Sequence, residues 1–550
     1  MKNKRFLAIA IVLVMALGMV AACAPAATPG DGTPATPATT PGGPAAAPGG
    51  TAAPAEMGVV GGAGEAEAPD VEEEDRRGGV FRIVNAAEGG ASIGIPWRSF
   101  GIENLLLPPF LETLMRTRHD GGIDPHLVES WEVQLDNNRV VLNIRPGIYF
   151  HDGSYLTADV VAWNIMQGVE SGVYNQSITG VDVLDTYTAA ALFDIWSNAI
   201  LHGLASVFII SRESFEANGE DWAFANPVGT GPFVFDRFVH GQILSGVRNE
   251  NYWQPGLPYL DAVEFHFIRD RVAQTMAMQA APEQRIHVLN TNAMEQIVDL
   301  RDNHGFSTYE LVTGPRSLLA DSINPDSPLA ILEVRQAISY AINRDAIVAA
   351  RGFGIMTPGV QFVPEWSMAA LPAEYNLTYN PERARELMIE AGFPNGFHTH
   401  MVTQPGVVDP DTAVAVQAML QQHLNITFDI EFLDAGGWAH QRTHGWDGLA
   451  FAGNRQFAFA FNGFNMAFDA AGVQLASVAR PEGYVEALNA AQWTPEPDPA
   501  YLSALHRIVM ENLMAIPVIN GTDNWVFQDN VHDSGFGVYM NVHMERAWLS

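Results

Sequence analysis

A histidine and an aspartate stand side by side in IYFHDGSYLTADVV, residues 148–161, and together they have the residue types of an acid/base pair. His151 and Asp152 are neighbours in what reads as an extended stretch, where successive side chains point to opposite faces. They are therefore poorly placed to act on one substrate. The segment is interpreted as part of the scaffold.

Two further histidines, His398 and His400 in FHTHM, would lie on one side of a strand and could bind a metal. No acidic or thiol residue is near them in sequence to complete a ligand set, so no metal site is predicted. The segments HGWDG (444–448) and FAFAFNGFNMAF (457–468) offer aromatic surfaces for stacking. A phenylalanine-rich run of this kind is more typical of a core.

Several catalytic chemistries are excluded by residue type. Cys23 is the single cysteine, and Lys2 and Lys4 are the only lysines. The chain after Cys23 therefore has no cysteine nucleophile, no Schiff-base lysine and no phosphate-loop lysine. The sequence also contains no H-E-x-x-H or G-x-G-x-x-G motif. The prediction is a protein that is not an enzyme and needs no cofactor.

The N-terminal residues have the pattern of an export signal. Lys2, Lys4 and Arg5 precede an uncharged run from Phe6 to Val20, and VAAC then ends at Cys23. We expect residues 1–22 to be a signal peptide and Cys23 to carry a lipid, as in bacterial lipoproteins. Residues 23–75, rich in Ala, Pro, Gly and Thr, are predicted to be a disordered tether.

The charge of the chain argues against polyanionic partners. Loss of the three basic residues of the signal would leave 26 basic and 62 acidic residues, a net charge of −36. Such a field disfavours nucleic acid.

The elements that must position these residues follow an α/β order. A first strand is expected from Gly79, a hairpin around residues 145–147, a turn at Asp152-Gly153, and a helix capped by Thr157. Amphipathic helices are predicted at 333–350, 381–391, 411–424 and 499–513, a strand in NITFDIEFL, and a short strand in AIPVING. Helices alternating with strands imply an α/β fold.

Five segments, in order, resemble the extracytoplasmic solute-binding proteins of family 5, the dipeptide and oligopeptide receptors of ABC importers. They are FLETLMRTRHDGGIDPHLVESWEV, IRPGIYFHDGSYLTADVVAWN, NPVGTGPFVFDRFVHGQILSGVRNENYWQPGLPYLDAVEFHFI, VRQAISYAINRDAIV and YNPERARELMIEAGFPNGF. The resemblance implies a two-lobed periplasmic-binding-protein-like fold of the class II type, with two hinge strands. Lobe I would span 79–316 with a small subdomain at about 110–225, lobe II would span 317–515, and 516–550 would return to lobe I.

The resemblance also implies where a ligand would bind. The candidate ligand-binding residues are Glu88, Gly90, Tyr174, Trp438, Arg442 and Asn454. Peptide receptors of this family have an aspartate for the ligand's α-ammonium group where this chain has Asn454 and Arg455. A buried ammonium without a carboxylate is costly, so ordinary peptide binding is in question, and a replacement for that acid elsewhere stays open.

The expected function is therefore a monomeric, lipid-anchored receptor at the outer face of the cytoplasmic membrane. It would capture a peptide or another small polar solute and deliver it to the permease subunits of an ABC importer. The alternatives are a receptor for an oligosaccharide, with Trp438 and Trp446 as stacking platforms, or for a metal chelate or haem. A surface glycosidase with paired carboxylates is a further alternative.

Overall fold

The computed structural model describes residues 72–85, 92–99, 105–118, 121–172, 177–453, 459–536 and 542–550. The strands are β1 (Val80–Asn85), β2 (Glu112–Thr113), β3 (Met115–Thr117), β4 (Ile123–Pro125), β5 (Val128–Gln134), β6 (Arg139–Ile144), β7 (Ile178–Asp185), β8 (Thr188–Phe193), β9 (Phe208–Ile209), β10 (Phe233–Val239), β11 (Ile243–Arg248), β12 (Ala262–Phe267), β13 (Val288–Asn290), β14 (Ser307–Ala320), β15 (His398–Thr403), β16 (Thr427–Phe432), β17 (Leu449–Gly453), β18 (Ile516–Phe527), β19 (Val531–His532) and β20 (Trp548–Leu549).

Helices occur mainly in the second half of the chain. They are α1 (Ala158–Glu170), α2 (Ala199–Ala205), α3 (Arg212–Asn218), α4 (Glu220–Ala223), α5 (Arg271–Met278), α6 (Met294–His304), α7 (Leu332–Ala341), α8 (Arg344–Arg351), α9 (Pro381–Glu390), α10 (Pro410–Leu424), α11 (Ala435–His444), α12 (Ala460–Ala467), α13 (Tyr484–Gln492) and α14 (Pro499–Glu511). Within the described ranges, none of them is both long enough and apolar enough to cross a membrane.

Ten strands form one mixed sheet in the order β10-β11-β12-β1-β13-β18-β14-β17-β15-β16. Parallel pairs occur towards each end, β1 with β12 and β13, and β15 with β16 and β17. The antiparallel pair β14–β18 joins the two ends. Each end is covered on both faces by apolar clusters, which is the expected arrangement for an α/β fold.

A separate small unit has a four-stranded antiparallel sheet, β5-β6-β8-β7. Its core contains side chains from Leu114 to Ile209, including those of α1 and α2. We call this part, residues 114–209, the small unit.

Several predicted elements are confirmed. Asn380 caps α9 through a hydrogen bond from Arg383 N (3.0 Å), and Gly392 follows the helix with φ +88°. Helices α10 and α14 and strand β16 lie where the pattern placed them. Apolar periodicity with its capping residues was sufficient for these elements.

Other predicted elements are wrong in detail. The helix predicted over 333–350 is two helices, because Asn343 stops α7 and caps α8 through Ala346 N (2.9 Å). The predicted hairpin around 145–147 does not form, since β6 pairs with β5 and β8. Thr157 occupies the N-cap position of α1, but its hydroxyl bonds Asp159. The strand at AIPVING continues to Phe527, far beyond the short strand expected.

Candidate functional site

Strands β14 and β18 are the central feature of the sheet. They pair from Ser307 opposite Phe527 to Leu318 opposite Ile516. At one end Leu311 and Phe527 belong to one apolar cluster, and at the other end Leu318 and Ile516 belong to another. The two strands therefore run from one core to a second core, and their middle section lies between the cores.

The carboxyl ends of two flanking strands lie on either side of this middle section. Strand β17 ends at Gly453, opposite Arg316, which in turn pairs with Ile519. Strand β1 ends at Asn85 beside β13, whose last residue pairs with Trp525. Ile519 and Trp525 are six residues apart, or roughly 20 Å along a strand. Ligands of open α/β sheets bind outside carboxyl ends of this kind, so the space along residues 519–525 is the candidate ligand cleft.

Four buried polar atoms along this section have no hydrogen-bond partner among the described residues. They are Asn85 Nδ2, Ser317 Oγ, Thr522 Oγ1 and Asn524 Oδ1. Asn524 is fully buried, and its Nδ2 donates to Asn292 Oδ1 (3.3 Å). Buried polar groups are nearly always paired in proteins, so such a concentration calls for an additional partner. The set combines a donor with acceptors and carries no charge, which suits a polar ligand.

Arg316 brings a positive charge to the same section. Its Nε donates to the carbonyl oxygen of Val407 (2.9 Å). A Cβ at position 521 would lie 2.5 Å from the Arg316 guanidinium, so the guanidinium lies against Gly521. Strands β14, β18 and the segment after β15 are thereby held together by one side chain.

Four of the predicted ligand-binding residues, Glu88, Gly90, Tyr174 and Asn454, lie outside the described residues, as does Cys23. Glu88 and Gly90 belong to the segment that follows β1, and Asn454 is the residue that follows β17. By chain connectivity, these two segments start at the two sides of the candidate cleft.

Trp438 and Arg442 are described, and both lie on α11. Trp438 is half-buried and packs against an apolar cluster, with its ring centroid 6.1 Å from that of Trp446. Arg442 donates from Nη2 to the carbonyl oxygen of Met466 (2.7 Å), and burial lowers its pKa. Arg442 thus has a backbone contact in its own half, and its role in ligand binding stays a prediction. Trp446 is 4% exposed, too buried to serve as the stacking platform that the oligosaccharide alternative requires.

A cavity of about 510 Å³ lies next to the C-terminal end of α11. Its lining includes the acidic residues Asp321, Glu431 and Asp447 together with His400 and His444. The three carboxylates make its wall rich in hydrogen-bond acceptors.

The two histidines of FHTHM have acidic neighbours that their sequence context did not reveal. His400 Nε2 lies 3.2 Å from Glu431, and His398 Nε2 lies 3.8 Å from Asp429, both on the adjacent strand β16. Within the described ranges, no three histidine, aspartate or glutamate side chains come together in a way that could hold a metal ion.

The prediction that His151 and Asp152 belong to the scaffold agrees with their contacts. The pair sits in a turn, not in the extended stretch expected, because Gly153 takes φ +87° there. His151 Nε2 contacts the carbonyl oxygen of Gly231 (2.9 Å), and burial lowers the pKa of His151. Asp152 accepts a hydrogen bond from Ser211, the capping residue of α3. Both side chains thus hold neighbouring segments of the scaffold together through polar contacts.

A buried ionic cluster fastens the small unit to the rest of the protein. Glu112 lies 3.1 Å from His126 and accepts a hydrogen bond from the Tyr252 hydroxyl (2.7 Å), while Arg116 pairs with Glu545 (2.7 Å). Burial raises the pKa of Glu112, but the charge and hydrogen bond of His126, with the Tyr252 hydroxyl, outweigh it and hold that pKa at about 2. The cluster therefore contains a charged glutamate.

Sequence reasoning did not identify Asn85, Arg316, Thr522 or Asn524. The position of Asn85 at the end of the first strand was the one available signal, because carboxyl ends of strands line ligand sites. The other three lie within strands, and only the strand pairing brings them to the cleft.

Comparison with known proteins gives one family and several similar structures. Residues 122–474 match the family described as bacterial extracellular solute-binding proteins, family 5 Middle. The glutathione-binding protein GsiB of Shigella boydii serotype 4 is 30% identical over 326 residues, 56% of this chain and 61% of that relative. The chain thus spans about three fifths of the length of the curated relative.

Two solved structures cover nearly the whole described part. The periplasmic binding protein DppA of Helicobacter pylori, in complex with the peptide STSA, has a TM-score of 0.65 at 21% identity and covers 87% of this chain and 99% of its own. HbpA2 of Haemophilus parasuis has a TM-score of 0.75 at 19% identity and covers 86% of this chain and 100% of its own. At these identities the likeness concerns the fold.

Proposed function

This chain belongs to the bacterial extracellular solute-binding proteins of family 5, and we propose that it captures a peptide or another small polar solute for an ABC importer. The fold is the α/β fold of the two-lobed periplasmic binding proteins, as predicted. In this proposal, the chain is a receptor that changes no covalent bond in its cargo.

The observation that carries the proposal is the strand pair β14–β18, which joins two separate apolar cores and has two strand ends beside its middle. We take residues 79–316 as lobe I, 317–515 as lobe II and 516–550 as the return to lobe I. A ligand between the lobes favours the closed form only by the contacts that it makes in that form alone. The permease subunits would then receive the closed receptor.

The chemistry of the cleft supports a polar ligand. The unpartnered amide and hydroxyl atoms of Asn85, Thr522 and Asn524 suit peptide groups, which present both donors and acceptors. Glutathione, which the Shigella relative is named for binding, and short peptides such as the one bound to the Helicobacter protein are therefore the first compounds to test. Asn454 in place of an aspartate favours a ligand without a free α-ammonium group at that position.

We also place the protein outside the cytoplasm, held to the membrane by a lipid on Cys23 through the segment 23–75. The pattern of residues 1–23 supports this part of the proposal. The receptor would act as a monomer.

Thermal unfolding with candidate ligands tests the proposal. A ligand present at 100 times its Kd stabilises the native state by about 2.7 kcal/mol, so the melting temperature should rise by a few degrees. The panel comprises glutathione, di- and tripeptides, and oligosaccharides. If no member of a broad metabolite panel shifts the melting temperature, or if any compound is converted to a product, the proposal is wrong.

A pair of variants assigns the effect to the cleft. Asn85→Leu removes a buried amide whose Nδ2 has no partner among the described residues, so it should leave the ligand-free melting temperature nearly unchanged and reduce the ligand-induced shift. Asn218→Leu, at an exposed position whose amide bonds Ser214 in its own helix, is the matched control and should keep the full shift.

A further inference from the structure

A short segment of the small unit contacts residues 491–494, which belong to the part of the protein proposed as lobe II (317–515). We call this part the second half. Asn198, which is fully buried, donates from Nδ2 to the carbonyl oxygen of Ala491 (2.7 Å) and to Thr494 Oγ1 (2.9 Å). Its backbone N–H donates to the carbonyl oxygen of Gln492 (2.9 Å). Trp196 Nε1 donates to the carbonyl oxygen of Thr494 (2.9 Å). All four bonds end at the C-terminal end of α13 or just beyond it, far from the small unit in sequence.

One helical turn after Asn198, His202 adds an aromatic contact with the same half. Its ring stacks on Phe459, with centroids 3.6 Å apart and planes inclined by 14°. Both residues are almost completely buried, and His202 Nε2 has no hydrogen-bond partner among the described residues. Burying an unpartnered ring nitrogen is unfavourable, so fold stability alone does not account for a histidine here.

The position of Phe459 links this contact to the candidate cleft. Phe459 is six residues beyond Gly453, the carboxyl end of β17. It also packs in the apolar cluster of the second half, against which Ala199 of α2 packs as well. Helix α2 thus contacts both the small unit's core and the apolar cluster that contains Phe459.

Together with the strand pair β14–β18, these contacts connect the two halves of the protein at two places. The two halves are joined by β14 and β18 on one side and by the 196–202 contacts on the other. A hinge motion about the strand pair would separate Asn198 from Thr494 and His202 from Phe459, and water would then hydrogen-bond the released groups. Contacts that such a motion breaks exist only while the lobes are closed, so any stability they provide favours the closed form.

We propose that Trp196, Asn198 and His202 form a clasp that favours the closed form before any ligand binds. The proposal rests on the proposed function, since it assumes that the lobes open and close. The three residues are positioning residues that touch no ligand. Net contributions of two side-chain hydrogen bonds correspond to a closed-to-open ratio about tenfold higher than without them.

Single-molecule energy transfer in the absence of ligand measures this ratio. Dyes are attached to cysteines introduced by Asn137→Cys in the small unit and Asn395→Cys in the second half, both exposed, in the full chain with Cys23→Ser. The expected result is a mainly closed wild type. Asn198→Ala should lower the closed-to-open ratio about tenfold, and Thr494→Val, which removes the acceptor from the opposite side, should lower it several-fold.

The histidine is tested by a conservative exchange. His202→Ala should lower the closed-to-open ratio, whereas His202→Phe keeps the stack, removes the unpartnered nitrogen and should restore or exceed the wild-type ratio. Asn164→Ala is the matched control, because Asn164 is an equally buried asparagine of the small unit whose amide bonds Val160 and Ile210, the latter directly after that unit, and not the second half. It should lower the melting temperature and leave the ratio unchanged.

The outcomes separate this inference from the proposed function. A wild type that is open without ligand, or Asn198→Ala and Thr494→Val variants that fold and keep the wild-type ratio, would overturn the clasp. Because no ligand is present, either result leaves solute capture untouched. The opposite outcome is also informative. If no compound of the ligand panel shifts the melting temperature but the closed-to-open ratio responds as expected, the clasp is supported and the proposed capture of these solutes is wrong.

Discussion

Gly314 of β14 lies directly opposite Gly521 of β18, at the middle of the strand pair that joins the two apolar cores. The register shifts on both sides of this pair, between Val312 and Gly314 and between Arg316 and Ser317. Bulges and glycines let a strand bend locally. The pair is therefore the point at which β14 and β18 can flex.

Replacing Gly314 should be costly, because its φ of +121° is a backbone conformation that residues with a Cβ rarely adopt. Gly314→Ala should lower the free energy of unfolding by about 1–3 kcal/mol, measured by urea denaturation. Gly180→Ala is the control, since a Cβ there meets only Leu192 Cδ1 at an ordinary 3.7 Å. If Gly314→Ala and Gly180→Ala lower the free energy of unfolding equally, the backbone conformation at position 314 does not disfavour alanine as we expect.

A second prediction concerns His287, whose Nδ1 accepts a hydrogen bond from Arg82 N (3.0 Å). Burial, with the charges of Arg82 and Arg285, lowers the pKa of His287 to about 4. The unfolded chain has a histidine pKa of about 6.5. The fold thus favours the neutral ring, and this stabilisation is complete above about pH 6.5 and is lost as the pH falls towards 4.

His287→Asn keeps an acceptor that does not titrate in this range. The variant's free energy of unfolding should fall less steeply than that of the wild type between pH 6 and 5, by roughly 1 kcal/mol per pH unit. Urea denaturation at several pH values measures the slope. His398→Asn, at an exposed position, is the control and should keep the wild-type slope. An unchanged slope in His287→Asn would refute this assignment.

Local elements could be predicted from sequence where one residue controls the outcome. Asn380, Pro381 and Gly392 define α9 by themselves. The split between α7 and α8 was missed because the apolar pattern runs through Asn343, whose capping role competes with continuation of the helix. The length of β18 was missed because its pairing with β14 depends on residues some 200 positions away.

The buried role of Arg344 also needed the structure. This side chain is 4% exposed and donates to backbone carbonyl oxygens of Ser339, Gly359 and Pro517, which belong to three different segments. In sequence, the same arginine lies within the helix predicted over 333–350, and nothing in that pattern marks it as buried. Burial lowers its pKa to about 9, and the carbonyl groups are its partners.

Arg344→Met should therefore be severely destabilising. It leaves several buried carbonyl groups without donors, and we expect a loss of about 3–5 kcal/mol in the free energy of unfolding, measured by urea denaturation. Arg385→Met removes an exposed arginine with a 3.6 Å contact to Glu382 and should cost less than about 1 kcal/mol. Similar losses for the two variants would show that the carbonyl contacts of Arg344 contribute little.

The candidate ligand site was predictable only in outline. The resemblance indicates the segments after β1 and β17, whose candidate residues lie outside the described ranges, while Trp438 and Arg442, chosen from one helix, pack against neighbouring elements of their own half. Asn524 and Thr522 could not be recognised, because their burial beside the cleft results from strand register and not from any local pattern.

The absence of an acid at Asn454 gives the last prediction. Peptide receptors that resemble this chain have an aspartate there for the ligand's α-ammonium group, and a charge-assisted hydrogen bond is about twice as strong as a neutral one. Asn454→Asp should therefore raise the affinity for peptides with a free N-terminus about tenfold, measured by calorimetry. N-acetylated forms of the same peptides are the control, because they carry no ammonium and should bind no better to the variant. A gain for acetylated and free peptides alike, or no gain for either, would mean that position 454 does not face the ligand's N-terminus in this protein.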